Sequence, residues 1–393
     1  MATMIPIDEL IGNSAEFPIL DRWAFFNHAG VAPLPRRSAA AIVKFAGQAA
    51  EDAYLNGTWY KQIEQLRRSA ARLINAAHEE VALVKNTSEG LSIVAGGMDW
   101  REGDRIVTTA AEYPSNVYPW IDLAQRKGID LVRVDEVDDA GGVRRVPIEK
   151  ILEAADHPRT RLVSLSHVEF GSGQRHDLVT IGRFCREHEI QFCVDAIQST
   201  GVLPVDVQAM NIDYLAADGH KWMLGPEGAG IFFCRKELVE KTHPVLIGWN
   251  SVERALDYDH IDFTLRSDAA RFECGTHNVP GLLGLKASID LIASVGVDQI
   301  WQQVRALTDE LAGGLQGRGF VVASPRSDGE ASGIVSFTRP GLDAAAVARK
   351  LKKEHRTELA VRAGRLRCSP HFYNTSAQIR QLLDVLVRVA GRE

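Results

Sequence analysis

Cysteine is scarce in this chain of 393 residues: Cys185, Cys193, Cys234, Cys274 and Cys368 are odd in number and scattered. None of them pairs at the close spacing of a zinc or redox site, so neither a disulfide framework nor a bound metal is expected. The thiols read as reduced, in a cytoplasmic protein. Long apolar runs are missing too, since no window approaches the roughly 18 uninterrupted apolar residues of a membrane span. Met1 to Leu20 carries Asp8, Glu9 and Glu16 where a signal peptide would have a basic start and an apolar run, so none is expected. The net charge of −6 comes without any basic block, and no nucleic-acid partner is expected. Internal repeats and low-complexity tracts are absent.

What is present is the composition of an ordinary globular enzyme, 45% hydrophobic and 24% charged, with length for two or three domains at roughly 150 residues each. From about residue 80 to 235, short β-branched runs alternate with helical patterns. Strands are expected at 81–84, 105–107, 130–134, 161–165, 191–194, 214–217 and 230–233, and helices near 89–98, 115–127, 177–188 and 206–210. That rhythm implies a mostly parallel sheet covered on both faces. Residues 36–77 read as two helices broken at Asn56-Gly57-Thr58. After about residue 275, amphipathic segments near 280–295, 297–316, 343–355 and 375–391 surround short strands near 319–323, 333–338 and 365–369. The expected organisation is an α/β large domain over 21–260, a smaller α+β domain over 261–393 joined through the polar stretch 250–270, and an N-terminal segment, 1–20, packed on the small domain.

Asp195 closes one apolar strand and Asp218-Gly219-His220-Lys221-Trp222 follows the next, so a carboxylate and a lysine emerge at neighbouring strand ends. Pyridoxal phosphate chemistry needs that pairing. A lysine amine holds the cofactor aldehyde as a Schiff base, and a carboxylate keeps the pyridine nitrogen protonated so that the ring accepts electrons. Thr87 and Ser88 open the helix after the first strand, where amides and hydroxyls can hold a phosphate or simply cap the helix. Tyr113, in Glu112-Tyr113-Pro114-Ser115-Asn116, stands at the same sheet edge, able to stack on a flat ring. Gln198 adds an amide beside Asp195. Gly171-Ser172-Gly173-Gln174, between His167 and His176, lacks the third glycine of a dinucleotide fingerprint and reads as a turn; Gly225 to Gly230 lacks the Lys-Ser/Thr ending of a phosphate loop and reads likewise.

These motifs, with Asn27-His28-Ala29, Phe272-Glu273-Cys274-Gly275-Thr276 and Arg367-Cys368-Ser369-Pro370-His371 onward, stand in an order that resembles aminotransferase class V, over nearly the whole chain. That family includes cysteine desulfurases, selenocysteine lyases, kynureninase and isopenicillin N epimerase-like enzymes of pyridoxal phosphate fold type I. The resemblance implies that Lys221 is the Schiff-base lysine, that Asp195 partners the ring nitrogen, that Tyr113 stacks on the ring and that Gln198 contacts its hydroxyl. It makes Thr87, Ser88 and His220 phosphate ligands, with Thr276 contributed across a homodimer interface, and assigns Asn27, His28, His371 and above all Arg367 to an amino-acid substrate.

Three departures stand out. Asp218 occupies a place where many relatives have a hydroxyl that donates to phosphate; Val168 aligns with an asparagine that touches the ring; and Val361-Arg362-Ala363-Gly364 runs straight into Arg365-Leu366-Arg367, without the loop that carries a desulfurase cysteine. The resemblance thus implies a carbanion enzyme working by β-elimination of C–S lyase type or by epimerisation. The alternatives are an aminotransferase, a desulfurase using a non-standard cysteine, or a non-catalytic cofactor-binding protein.

Overall fold

The computed structural model describes residues 4–139 and 141–391. Its central sheet has seven strands in the spatial order Val81–Val84, Gly230–Cys234, Tyr214–Asp218, Gln191–Asp195, Thr160–Ser166, Arg105–Thr109, Asp130–Val134. Gly230–Cys234 runs antiparallel to both neighbours, and the four other pairings are parallel. Side chains alternate between two apolar clusters: Phe192, Val194, Leu215, Ala217, Ile231 and Phe233 enter one, while Cys193, Tyr214, Ala216 and Phe232 enter the other. Burial on both faces is why these strands read as unbroken apolar runs. Because these strands run parallel, they all end at one edge, where ligand sites of such sheets lie.

Helix Thr87–Gly97 lies over this sheet because Gly90 allows close approach: a Cβ there would stand 2.7 Å from that of Ala216. Asn86 caps the helix, its side chain accepting from the amide of Glu89 at 2.9 Å. Glu169 to Gln174 closes as the expected turn, with the Gly173 amide donating to the Glu169 carbonyl at 2.9 Å. The helix expected at 206–210 is instead a turn. The Asp206 carboxylate accepts from the amides of Gln208 and Ala209, both at 2.9 Å, which competes with a helical ladder, and Asn211 leaves it at φ 49°.

A second sheet, Val321–Val322, Val335–Thr338, Arg365–Cys368, Ala360–Arg362, is covered by helices Val297–Gln316, Ala344–His355 and Ser376–Val389 around a core of its own. The boundary expected at residue 261 does not coincide with this core. Helix Val279–Val295 packs on Arg36–Asp52 and Trp59–Leu73 and buries its side chains with the large sheet, because it is apolar on nearly every face. Conversely, Ala24–Phe25 pairs with Thr357–Glu358. The N-terminal segment buries Leu10 and Phe17 in the large body's cluster: the Ile5 amide donates to the Ser294 carbonyl at 2.9 Å, and Phe17 stacks on Tyr373 of the same cluster with ring centroids 3.9 Å apart. Among the described residues no single helix is long and apolar enough to cross a membrane.

Candidate active site

A cavity of about 420 Å³ opens at the carboxyl edge of the large sheet. Its walls carry Thr87, Ser88, Tyr113, Asp195, Gln198, His220 and Lys221, all expected there, together with Arg367 from the second body. Lys221 Nζ stands 5.5 Å from the Tyr113 ring centroid, so amine and aromatic face border the same space. Tyr113 is held edge-on against Phe170, centroids 5.2 Å apart at 79°.

Asp195 is buried, and one carboxylate oxygen accepts from the Ile197 amide at 3.0 Å. Burial pushes it up to about 6 against the opposing pull of that hydrogen bond and of Lys221, which leaves it ionised at neutral pH. Burial brings Lys221 down to about 8, with Asp195 pulling the other way. An amine near neutrality can carry a proton or give it up, which suits a base. Gln198 accepts from Trp222 at 2.8 Å and donates to the Ala29 carbonyl at 3.1 Å, leaving one amide hydrogen for the cavity.

At the other end, the first amides of helix Thr87–Gly97 have no partner within the helix. Thr87 accepts from the Asp218 amide at 3.0 Å, so its own hydroxyl hydrogen is free, and Ser88 shares a hydrogen bond of 2.9 Å with Ser115. Asp218 turns its carboxylate to within 3.0 Å of His220 Nδ1, though not in hydrogen-bond alignment, and its buried Oδ1 has no partner among the described residues.

Arg367 is 1% exposed; it donates to the Phe170 carbonyl at 2.8 Å and weakly to Asn27 at 3.4 Å, while its Nε has no partner among the described residues. Burial, with Arg362 close by, lowers it to about 9. A buried cation with open donors is costly until an anion fills the space. A substrate carboxylate fits.

The other residues expected to bind substrate do not line the cavity. Asn27 steadies Arg367, while His28 is committed to the Ser369 carbonyl at 2.8 Å and the Tyr373 hydroxyl at 2.6 Å. His371 bonds the Trp222 carbonyl at 3.1 Å and packs with its ring 5.5 Å from Trp222. Burial holds both imidazoles below the usual histidine range, so they are neutral supports behind the lysine loop. Val168 is also core; the side chain reaching the cavity from that segment is Phe170, because the turn after Val168 shifts which residue faces the edge. Thr276 is exposed, outside the cavity, in a recess shared with Lys85, Glu89 and Cys274. Phe170, Ser115 and Arg362 were not expected in the walls. Glu169, also missed, is buried behind them between Thr109 and His176, and burial raises it to about 8. None of the five cysteines lines the cavity, and burial raises Cys185, Cys193, Cys234 and Cys368 well above the usual thiol range.

A lysine and a buried carboxylate at parallel strand ends, a helix N-terminus beside them and a guanidinium from a second body define a fold-type-I pyridoxal phosphate enzyme. The family model for aminotransferase class-V matches residues 24–388, and the chain belongs to that family. Relatives include probable cysteine desulfurases of Pyrococcus abyssi, 35% identical over 83% of this chain and 82% of the relative, and of Methanothermobacter thermautotrophicus, 32% identical over 96% and 97%. Among solved structures, the apo cysteine desulfurase of Thermococcus onnurineus NA1 superposes with a TM-score of 0.88 at 28% identity over 99% of both chains. The cystine C–S lyase C-DES, in complex with its product cysteine persulfide, does so with a TM-score of 0.86 at 28% identity, over 94% of this chain and 98% of that one. The cofactor is pyridoxal phosphate. Among the described residues, the unpartnered Arg367 Nε, the open helix amides and the Lys221–Asp195 pair fit that cofactor and an amino-acid substrate.

Proposed function

We propose that this protein is a β-eliminating lyase of the C–S type, acting on an amino acid with a sulfur leaving group at Cβ. The observation that carries the reading is the hairpin between Ala360–Arg362 and Arg365–Cys368, where Ala363 and Gly364, at φ 47° and 73°, form a two-residue turn in place of a mobile loop. No thiol can swing from it to attack a substrate sulfur.

When bound, the cofactor supplies an electron-accepting ring that stabilises a carbanion at Cα. Asp195, ionised and buried, holds a proton at the ring nitrogen. Thr87, Ser88, the helix amides and His220 hold the phosphate, and Tyr113 and Gln198 fix the ring. Arg367 grips the α-carboxylate through its open donors, and Lys221, deprotonated with little cost near neutral pH, takes the Cα proton. The Cβ–S bonding electrons leave with sulfur, which is released as a thiol or persulfide after taking up a proton. The enamine left behind hydrolyses with water to pyruvate and ammonia, so no external oxidant or reductant is needed.

The protein works as a cytoplasmic homodimer in this reading. Tyr54, Tyr60, Trp249, Leu256 and Tyr258 line an apolar groove of about 780 Å³, and Ile261 and Phe263 are exposed; this face is taken as the dimer contact, with exposed Thr276 contributed to the partner's cup. The names of the curated relatives favour a second reading, cysteine desulfuration. Product analysis separates the two. With cysteine and cystine as substrates, pyruvate and ammonia in equal amounts are expected; stoichiometric alanine with a persulfide mapped to Cys274 or Cys368 would replace the lyase reading by the desulfurase one.

A further inference from the structure

Register places three arginines on one face of the hairpin. Arg362 pairs directly with Arg365 across the two strands, and Arg367 lies two residues further along the same face. Like charges directly opposite are destabilising unless an anion intervenes. Arg367 serves the α-carboxylate, so the other two lack an occupant. Arg362 makes one side-chain hydrogen bond among the described residues, to the carbonyl of its neighbour Val361 at 2.8 Å, and Arg365 makes none. Neither forms an ion pair there, although carboxylates stand close by.

A second chamber, about 170 Å³, opens on the other side of Phe170. Phe170 and Arg362 line both this chamber and the main cavity, so the two share a wall. Arg365 lines this chamber and not the main cavity. Its carboxylates are already engaged: Glu112 is hydrogen bonded through both oxygens to Ser166, and Glu136 faces Arg144 at 3.8 Å. Arg362 and Arg365 are therefore the open charges of this space.

We propose that the chamber is a distal substrate subsite in which Arg362 and Arg365 bind a second carboxylate carried on the leaving group. The inference deepens the lyase reading and rests on it. It names the substrate class as an amino acid whose β-sulfur ends in a carboxylate, long enough to pass Phe170. Arg367 fixes one end, the Arg362–Arg365 pair fixes the other, and the Cβ–S bond is held between them beside Lys221.

The test compares the mixed disulfide of cysteine with mercaptopropionate against that with mercaptopropionamide, which is neutral and nearly isosteric, using β-chloroalanine as a substrate with no distal group. Wild-type holoenzyme should prefer the carboxylate by about ten- to a hundredfold in kcat/KM, the span expected for a charge-assisted contact. Arg365→Gln should erase that preference and leave β-chloroalanine turnover within about twofold. Turnover of β-chloroalanine with no preference between the disulfides would overturn the subsite and spare the lyase reading. Calorimetry with non-reacting aminosuberate and aminooctanoate keeps the subsite testable if β-chloroalanine is not turned over. Tighter binding of aminosuberate that is lost in Arg365→Gln supports it, and equal binding refutes it.

Discussion

Replacing Arg367 by methionine isolates the contribution of one buried cation to substrate recognition. In the free protein the guanidinium has a single strong partner, the Phe170 carbonyl at 2.8 Å, and Nε has none. Two donors can therefore meet a carboxylate, and two charge-assisted bonds at about 1.5–3 kcal/mol each give at least about 3 kcal/mol, or a loss of roughly a hundredfold in kcat/KM. The free protein should not suffer. Removing a buried charge that lacks a counter-ion relieves a desolvation penalty, so the urea midpoint should hold or rise. Arg367→Lys keeps the charge but loses the fork, and should recover only part of the activity. A substrate lacking the α-carboxylate closes a double-mutant cycle: if the arginine acts on that group, the variant loses nothing further with it. Activity within threefold of wild type, or a fall in midpoint large enough to account for the lost turnover, would refute the assignment.

Lys221, lowered by burial to about 8 from its ordinary 10.5, gives a signed pH dependence in the cofactor-free protein. Between those two values the unfolded chain holds the extra proton, so stability should rise with pH across that window by about 3 kcal/mol in total, with the penalty fully present below it. Lys221→Met should flatten this slope and also abolish borohydride fixation of the cofactor to the chain; an unchanged slope, or fixation that survives, counts against the lysine's role. Asp195 acts in the opposite sense, since its folded value of about 6 lies above the ordinary 3.8, and stability due to it declines as pH rises between the two. Thr276→Ala should weaken cofactor binding by roughly tenfold or more, measured by dialysis, if its hydroxyl reaches a partner's phosphate cup. A native monomer by light scattering, or undiminished affinity, would remove that contact.

Lys221, Asp195, Tyr113, Gln198, Thr87, Ser88 and His220 were legible in the sequence because each follows or ends a strand whose apolar run is unmistakable, and parallel topology then gathers strand ends at one edge. The tight connection between Arg362 and Arg365 was legible as well, since a missing loop is a matter of chain length. What sequence alone could not decide was which side chains share a face or a wall. Phe170 reaches the cavity and Val168 does not because a turn register shifts the alternation by a residue or two. Asn27, His28 and His371 sit beside the motif they resemble, yet hydrogen bonds to Arg367, Ser369, Tyr373 and Trp222 hold them behind the site. The helix Val279–Val295, adjacent in sequence to the second body, joins the core of the first because its apolar surface runs almost all round. Local periodicity fixes what an element is, and the two-residue turn of the hairpin already sets Arg362 opposite Arg365; partners hundreds of residues away fix which way most other side chains look, because only the packed fold brings them into contact.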